Sequence, residues 1–434
     1  MSEPPYPSLV QQIVHDLAGG SCVAITGLSN TGKTTLMQAL AEPATAGLYR
    51  AAAGREAALV FVDCNRAVAI TAQAFYEVVL RSLLEFLTPA VPAELSASVR
   101  DFHFSVTEAE TAFQASLSFN LALTEVCARL KKDLCLLIDE FDELYMALDD
   151  RALLNLRALR DRFPQQLMFV TATLRSLSQL RGVVLEDEFA EMFARSTYVM
   201  HPLTEPEGIS VLSGLKLPGL TAEGERQAWQ VSGGHPGMLI AAGLALADEA
   251  VVVGRSPAEH VIRHPAARAE CLKIWNQLAP LEQADLTARA AEGPAAAGIP
   301  VTPEIDALGL LEGGKLRSEL LAAFILLRSR VAEGTPGIRI DPDAGEVSVD
   351  GVQVPVLTEL EFKLLQLLDE RRDKLTDKYL IVTRVWGENF LDEVDDARVE
   401  KLVSRLRSKI EADPANPRYL VTVRGRGYKL LSGA

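Results

Sequence analysis

In the first half of the chain, short continuous apolar runs alternate with stretches whose apolar positions recur every three to four residues. Cys22-Val23-Ala24-Ile25, Ala58 to Asp63, Leu134 to Ile138, Gln166 to Thr173 and Thr197 to Met200 have the composition of strands buried on both faces. Between them, residues 8–18, Thr35 to Leu40, 70–88, 117–132 and 150–162 carry the helical period. Strands alternating with helices predict a parallel, doubly wound α/β sheet. Residues 89–113, with Pro89, Pro92 and many small side chains, read as less regular. After Pro202 the pattern turns helical, over 205–216, 222–231 and 237–249, with a turn at Gly233-Gly234-His235-Pro236. Residues 269–330 are again mostly helical, broken at Glu312-Gly313-Gly314, and Val331 to Gly337 reads as a linker. Beyond it come short strands, Ile338 to Ile340 and Glu346 to Val349, then a turn at Asp350-Gly351.

The first strand-to-helix junction carries chemistry. Residues 27–34 read Gly-Leu-Ser-Asn-Thr-Gly-Lys-Thr, the pattern G-x-x-x-x-G-K-[ST], between an apolar strand and a helix. Glycines let backbone N–H groups wrap around phosphates, Lys33 would place its charge on the β- and γ-phosphates of ATP, and the Thr34 hydroxyl would hold Mg²⁺. The following helix adds the partial positive charge of its N-terminus. Gly27, Ser29, Asn30, Thr31, Gly32, Lys33, Thr34 and Thr35 are the expected nucleotide-binding residues. The apolar run Leu134 to Ile138 ends in Asp139-Glu140, at the end of a strand where ligands of open α/β sheets sit. Asp139 is expected to bind Mg²⁺, and Glu140 to orient and polarise the attacking water as the catalytic residue.

Composition narrows the choice of partners. The 434 residues are 48% hydrophobic and 23% charged, long enough for several cores. No apolar stretch reaches the roughly 18 residues of a membrane span, and the N-terminus lacks a basic region followed by an apolar core. Five scattered cysteines form no metal-type pair and read as reduced core residues, so the expected location is cytoplasmic. The net charge of −15 argues against a surface that coats nucleic acid uniformly. Its distribution is uneven, with nine basic against three acidic residues over 398–429. In the helical pattern 396–411, Val399, Leu402, Val403, Leu406 and Ile410 make an apolar stripe, and Arg398, Lys401, Arg405 and Lys409 lie off it. Arg424 and Arg426 flank Gly425 in a tight turn near the end.

The N-terminal signals together resemble the AAA+ and STAND-like ATPases, near the origin-recognition branch, over about residues 5–330. The resemblance rests on Gly27 to Thr34, on Ile138-Asp139-Glu140-Phe141-Asp142, on the polar strand end at Thr171 and Thr173, and on the Gly-Gly-His-Pro turn. It implies a nucleotide contact from His235 and Pro236 in a helical lid, and a γ-phosphate sensor at Thr173 or Arg175. It also implies an arginine finger, with Arg175, Arg181 and Arg195 as candidates among which spacing does not choose. Residues 269–330 resemble the winged-helix segment that follows the lid, with a hairpin tip at Gly313-Gly314.

Residues 338–432 resemble the winged-helix effector domain of OmpR/PhoB-type response regulators. Val349-Asp350-Gly351, Leu357-Thr358-Glu359-Leu360-Glu361-Phe362-Lys363-Leu364-Leu365, Val385-Trp386-Gly387 and Pro417 to Tyr428 carry the match. The resemblance makes 398–409 a recognition helix and Arg424 to Tyr428 part of a wing, with Arg398, Lys401, Arg405, Lys409, Arg424 and Arg426 on double-stranded DNA. A receiver domain with a phospho-accepting Asp, usual in that family, is replaced here by the nucleotide-binding unit.

The expected organisation is a P-loop ATPase core over 1–203, a helical lid over 204–265, a middle winged-helix-like segment over 266–331, a linker over 332–337, and an α+β winged helix-turn-helix domain over 338–434. The expected function is an ATP- and Mg²⁺-binding, ATP-hydrolysing DNA-binding regulator that assembles with itself when ATP-bound, with a protein signal or RNA polymerase as a further partner and no membrane. Two alternatives stay open: a DNA-acting ATPase of a mobile-element, defence or loader system, and a nucleotide-gated interaction scaffold.

Overall fold

A computed structural model describes residues 6–87, 93–181, 187–248, 256–332, 337–341, 345–350, 352–355, 357–387, 396–411, 413–414, 416–423 and 425–432. Its centre is a five-stranded parallel sheet. β1 (Val23–Thr26), β2 (Ala57–Asp63), β3 (Asp133–Asp139), β4 (Leu167–Thr173) and β5 (Thr197–Val199) lie in the order β2-β3-β4-β1-β5. The continuous apolar runs are explained by burial on both faces. Leu134, Leu136 and Ile138 enter one core, and Cys135 and Leu137 the other. Helices α1 (Pro7–Ala18), α2 (Lys33–Ala41) and α3 (Pro43–Ala53) supply residues to the second core; α4 (Ala72–Leu87), α5 (Ala93–Thr107) and α6 (Ala112–Arg129) supply the first.

Helix α5 departs from the expectation of irregular chain over 89–113. The small residues that made this stretch look loop-like are helix-compatible, and Leu95, Val99 and Val106 bury one face at helical spacing. Helix α3 is a second element not read from the sequence; Pro43 opens it at a position where a missing N–H costs nothing.

The chain continues through α7 (Asp142–Ala147), α8 (Asp150–Arg162), α9 (Leu177–Leu180), α10 (Glu188–Glu191) and α11 (Glu205–Leu215). Then come α12 (Ala222–Ser232), α13 (Pro236–Asp248), α14 (Pro257–Val261), α15 (Pro265–Asn276), α16 (Pro280–Glu292) and α17 (Pro303–Asp306). The expected hairpin is present as β6 (Leu311–Glu312) and β7 (Lys315–Leu316), with both tip glycines at positive φ, and α18 (Glu319–Ala332) follows.

The described residues divide into two compact units. One comprises those up to Gly214, with Gly233–Ile240 and Pro300–Arg317; the other comprises Leu215–Ser232, Ala241–Ile299 and those from Ser318 onwards. Within the second unit, β8 (Ile338–Asp341), β9 (Glu346–Val349) and β10 (Val352–Gln353) form an antiparallel sheet in the order β10-β9-β8. Three helices follow, α19 (Glu359–Glu370), α20 (Lys378–Val385) and α21 (Asp396–Ile410), then the hairpin β11 (Leu420–Val423) and β12 (Gly427–Leu430). Thr358 and Glu361 form a capping box that starts α19. Gly427, at φ 133°, crosses the Thr376 backbone so closely that a Cβ would lie 2.8 Å from the Asp377 Cα, so the hairpin closes on the three helices only with glycine there. Arg328, stacked over Trp275 and Phe324, reaches Glu346 at 3.5 Å, and Arg268 reaches Asp341 at 3.2 Å.

Candidate functional site

The phosphate-loop motif joins the end of β1 to the start of α2, as its residue types require. Asn30 (φ 59°) and Gly32 (φ 97°) take the left-handed conformation, which turns the backbone around the loop's hollow. The Thr31 hydroxyl donates to the Leu28 carbonyl at 2.7 Å and pins the loop internally. Lys33 is buried, and its Nζ donates to the Gly27 and Leu28 carbonyls at 2.8 and 3.2 Å. Burial lowers the Lys33 pKa, opposed by the nearby carboxylates of Glu140, Asp142 and Asp139.

Register brings the acidic strand end to the same place. Ile138 pairs with Thr171 and Thr26 with Thr173, so the carboxyl ends of β1, β3 and β4 lie side by side. Asp139 is buried, engages the Thr34 hydroxyl, and has one carboxylate oxygen with no partner. Burial pushes its pKa up to about 6, against the Thr34 hydrogen bond. The Thr171 hydroxyl is likewise buried without a partner. Glu140 follows at φ 51° with its side chain exposed. Asp142 accepts from the Leu174 N–H at 2.8 Å and ties β4 to the helix after the acidic pair. Thr173 is buried and its hydroxyl donates to the Arg175 carbonyl at 2.6 Å.

Two further segments grip the outside of the loop. The Gly237 N–H donates to the Asn30 carbonyl at 3.1 Å, which brings the Gly-Gly-His-Pro turn against it. Gly234, at φ 78°, lies so near the Leu203 backbone that a Cβ would collide with its carbonyl oxygen. His235 is fully buried beside the Ser29 backbone. Its Nδ1 accepts from the Met238 N–H at 3.3 Å, and its Nε2 has no partner. Pro236 opens α13. On the other side the Tyr6 hydroxyl donates to the Thr31 carbonyl at 3.2 Å. Sequence reasoning missed Tyr6, for a tyrosine between two prolines carries no local sign of its partner.

The residues present fit a magnesium nucleotide. The donor set is one hydroxyl and one carboxylate with an orphaned oxygen beside a buried ammonium, which suits a hard cation shared with phosphate oxygens. The three arginine candidates differ. Arg181 stacks on Tyr145 and donates to the Tyr145 and Leu148 carbonyls and to Asp150, so its guanidinium is engaged within its own chain. Arg175 is half-buried just beyond Thr173, and Arg195 is exposed.

At the C-terminal end, α21 buries Val399, Leu402, Val403, Leu406 and Ile410 and exposes Arg398, Lys401 and Arg405. Lys409 is held by the buried Glu361 at 2.7 Å, and Arg407 donates to the Leu420 carbonyl and the Thr422 hydroxyl at 2.7–2.8 Å. Both therefore brace the domain from the helix that carries the exposed cations. Arg426 is exposed at the hairpin turn, while Arg424 lies outside the described residues. Glu411 accepts from the Arg418, Tyr419 and Leu420 N–H groups at 2.7–2.9 Å, an anchor for β11 that the sequence pattern did not show.

Residues 8–171 match the model of the AAA ATPase domain, and residues 353–430 match that of the C-terminal domain of transcriptional regulatory proteins. The chain joins an AAA ATPase domain to an OmpR/PhoB-type DNA-binding domain. Among relatives, the sensory transduction protein RegX3 of Mycobacterium leprae is 44% identical over 102 residues, 24% of this chain and 50% of that protein. The DNA-binding response regulator MtrA of Mycolicibacterium smegmatis is 32% identical over 152 residues, 30% of this chain and 65% of that protein. The chain thus spans about half the length of the curated relatives it matches. The Walker-type ATPase paby2304 of Pyrococcus abyssi is similar at 11% identity and a TM-score of 0.47, over 75% of this chain and 98% of that one. The DNA-binding domain of Klebsiella pneumoniae RstA, solved with its RstA box, is similar at 26% identity and a TM-score of 0.21, over 23% of this chain and 95% of that one. The AAA ATPase domain holds the phosphate loop and Asp139-Glu140, and the DNA-binding domain holds α21 and its hairpin. Among the described residues no helix is long and apolar enough to cross a membrane.

Proposed function

We propose that this chain is a cytoplasmic transcription regulator whose DNA engagement is controlled by the nucleotide state of its AAA ATPase domain. The observation that carries the reading is the coincidence, in one chain, of a buried Lys33 beside Asp139 with its orphaned oxygen and an exposed basic face on α21. Bound Mg-ATP would supply a cleavable phosphoanhydride and a divalent charge to neutralise it. Lys33 would exchange the Gly27 and Leu28 carbonyls for phosphate oxygens, and the loop N–H groups of Ser29 to Thr35 would cradle the anion. Thr34 and Asp139 would hold the metal. Glu140 would orient a water and accept its proton at the carboxylate. His235 and Pro236 would report the loop's state to the lid helices, and Thr173 with Arg175 would line the γ-phosphate end. Arg195 is the exposed candidate for a finger offered to a neighbouring copy. On DNA, Arg398, Lys401 and Arg405 would enter the major groove, with Arg426 and Arg424 on the adjoining backbone or minor groove.

The test is a pair of variants. Lys33→Ala should lose nucleotide binding, whereas Glu140→Gln should bind ATP normally and release phosphate at least ~100-fold more slowly. Calorimetric titration and a phosphate-release assay read the two effects. Unchanged release by Glu140→Gln removes that residue from the chemistry, and unchanged nucleotide affinity in Lys33→Ala removes the site.

A further inference from the structure

Helix α6 has two apolar faces where one would suffice for folding. Ala115, Phe119, Ala122, Leu123, Val126 and Cys127 are buried in the core beside the sheet. On the opposite side, Phe113, Leu117 and Leu121 follow one another at i, i+4 and i+8 and are 74%, 47% and 49% exposed. Phe104, on the neighbouring α5, is 64% exposed. A run of large exposed apolar side chains marks a contact surface rather than a solvated helix face.

The charges around this stripe say what covers it. From Ala112 to Thr124 there is no charged residue, in a chain of net charge −15. Two copies of so acidic a protein repel across most of their surfaces, and a neutral stripe is where they can close. The ends are charged with opposite signs. Exposed Glu108 and Glu110 precede α6; at its other end Arg129 is paired with Glu125 and Glu94 of its own chain, and exposed Lys131 follows as the cation that end offers. A surface that is acidic at one end, apolar in the middle and basic at the other is complementary to itself when turned round. We infer that α6 packs against α6 of a second copy, antiparallel, about a two-fold axis between Leu117 and Leu121. Each Leu117 then faces the other copy's Leu121, and each acidic end faces a basic one, the isologous arrangement that closes as a dimer.

The size of the surface sets its strength. Eighteen residues of helix make a face about 27 Å long and about 11 Å wide, roughly 300 Å² per copy and about twice that with α5 alongside. A standard stable interface buries about 800 Å² per partner, so a surface of this size fits a weak, concentration-dependent pairing. It uses no residue of the phosphate loop and does not rest on the nucleotide-controlled reading above.

Sedimentation velocity of the full chain, without nucleotide and across the micromolar range, tests it. Wild type should pass from monomer to dimer. Leu117→Glu should raise the dimer dissociation constant at least ~30-fold while the circular dichroism and Tm stay as in wild type, because the side chain it replaces is half exposed. Phe113→Ser provides a second, milder removal of apolar surface. Arg129 already pairs with Glu125 and Glu94 in its own chain, so orientation is read at Lys131. Lys131→Glu should weaken the dimer, and Lys131→Glu combined with Glu108→Lys should restore it. Lys33→Ala should dimerise as wild type does, which separates this surface from any assembly driven by ATP. A wild-type chain that stays monomeric throughout, or a Leu117→Glu chain that dimerises unchanged, overturns the proposal; failure of the double reversal to restore pairing overturns the antiparallel arrangement.

Discussion

His235 illustrates what a single residue can carry. Its Nδ1 accepts from the Met238 N–H, so the neutral ring bears its proton on the buried, unpartnered Nε2. Burial pushes its pKa down to about 4, against about 6.5 for an unfolded histidine. Between those values the unfolded chain binds the proton and the folded chain does not. Stability from this residue is therefore present above pH 6.5, falls as the pH drops, and reaches its floor near pH 4. The size of the loss is about 3 kcal/mol. Urea denaturation of wild type and His235→Asn at pH 7 and pH 4.5 should show the wild-type advantage shrinking by roughly that amount. An advantage that does not change with pH would mean the ring is not held neutral. At this scale the sequence was unevenly legible. The phosphate loop and Asp139-Glu140 are local patterns, so their place at the ends of β1 and β3 could be read directly. The bond from Gly237 to the Asn30 carbonyl, the Tyr6 contact and the locking of Arg181 onto Tyr145 join residues far apart in the chain, and no local pattern marks them.

Among the elements, α21 shows why a basic helix is not uniformly a binding surface. Its cations divide by the face they occupy. Arg405 is exposed, whereas Lys409 reaches over the helix end to a buried Glu361 and Arg407 binds the hairpin. The helical period gives the faces, but only the packing of α19 against α21 shows that one of the polar positions has a carboxylate beneath it. Arg405→Ala should therefore leave the Tm unchanged and flatten sequence preference by about 1–3 kcal/mol per discriminated base pair. Lys409→Ala should instead cost about 1–3 kcal/mol of folding stability, because it strands the Glu361 charge. Thermal unfolding combined with binding to a selected DNA site and a scrambled one reads both; the reverse pattern would mean the two roles are exchanged. Helix α5 shows the opposite limit of legibility. Its small residues and flanking prolines mimic a loop in composition, and its helical spacing is carried by only a few buried side chains.

For the whole molecule, the alternation of strands and helices made the parallel sheet legible, but not the order β2-β3-β4-β1-β5 that places β1 between β4 and β5. That order brings Thr26, Asp139 and Thr173 to one edge and makes a single site from three separate segments. A nucleotide bound in one part of the chain would affect DNA in another only by changing how many DNA-binding surfaces act together or how freely each is presented. The first route has a quantitative signature. When copies assemble, a second DNA contact becomes intramolecular, and avidity exceeds single-site affinity by about 10²–10⁴ with no new contact. Glu140→Gln, which should keep ATP bound, is the form in which to measure it. At fixed salt, Mg-ATP should raise its affinity for DNA carrying two sites at least ~10-fold and leave its affinity for a single site nearly unchanged. The variant combined with Lys33→Ala should show no Mg-ATP gain on either DNA. Equal gains on one and two sites would instead point to release of each DNA-binding domain within its own chain, and no gain on either would separate the ATPase domain from DNA engagement altogether. Adding Leu117→Glu divides the remaining cases. If the two-site gain survives that change, ATP assembles the protein through its nucleotide sites; if it disappears, the α6 face is the joint on which nucleotide acts.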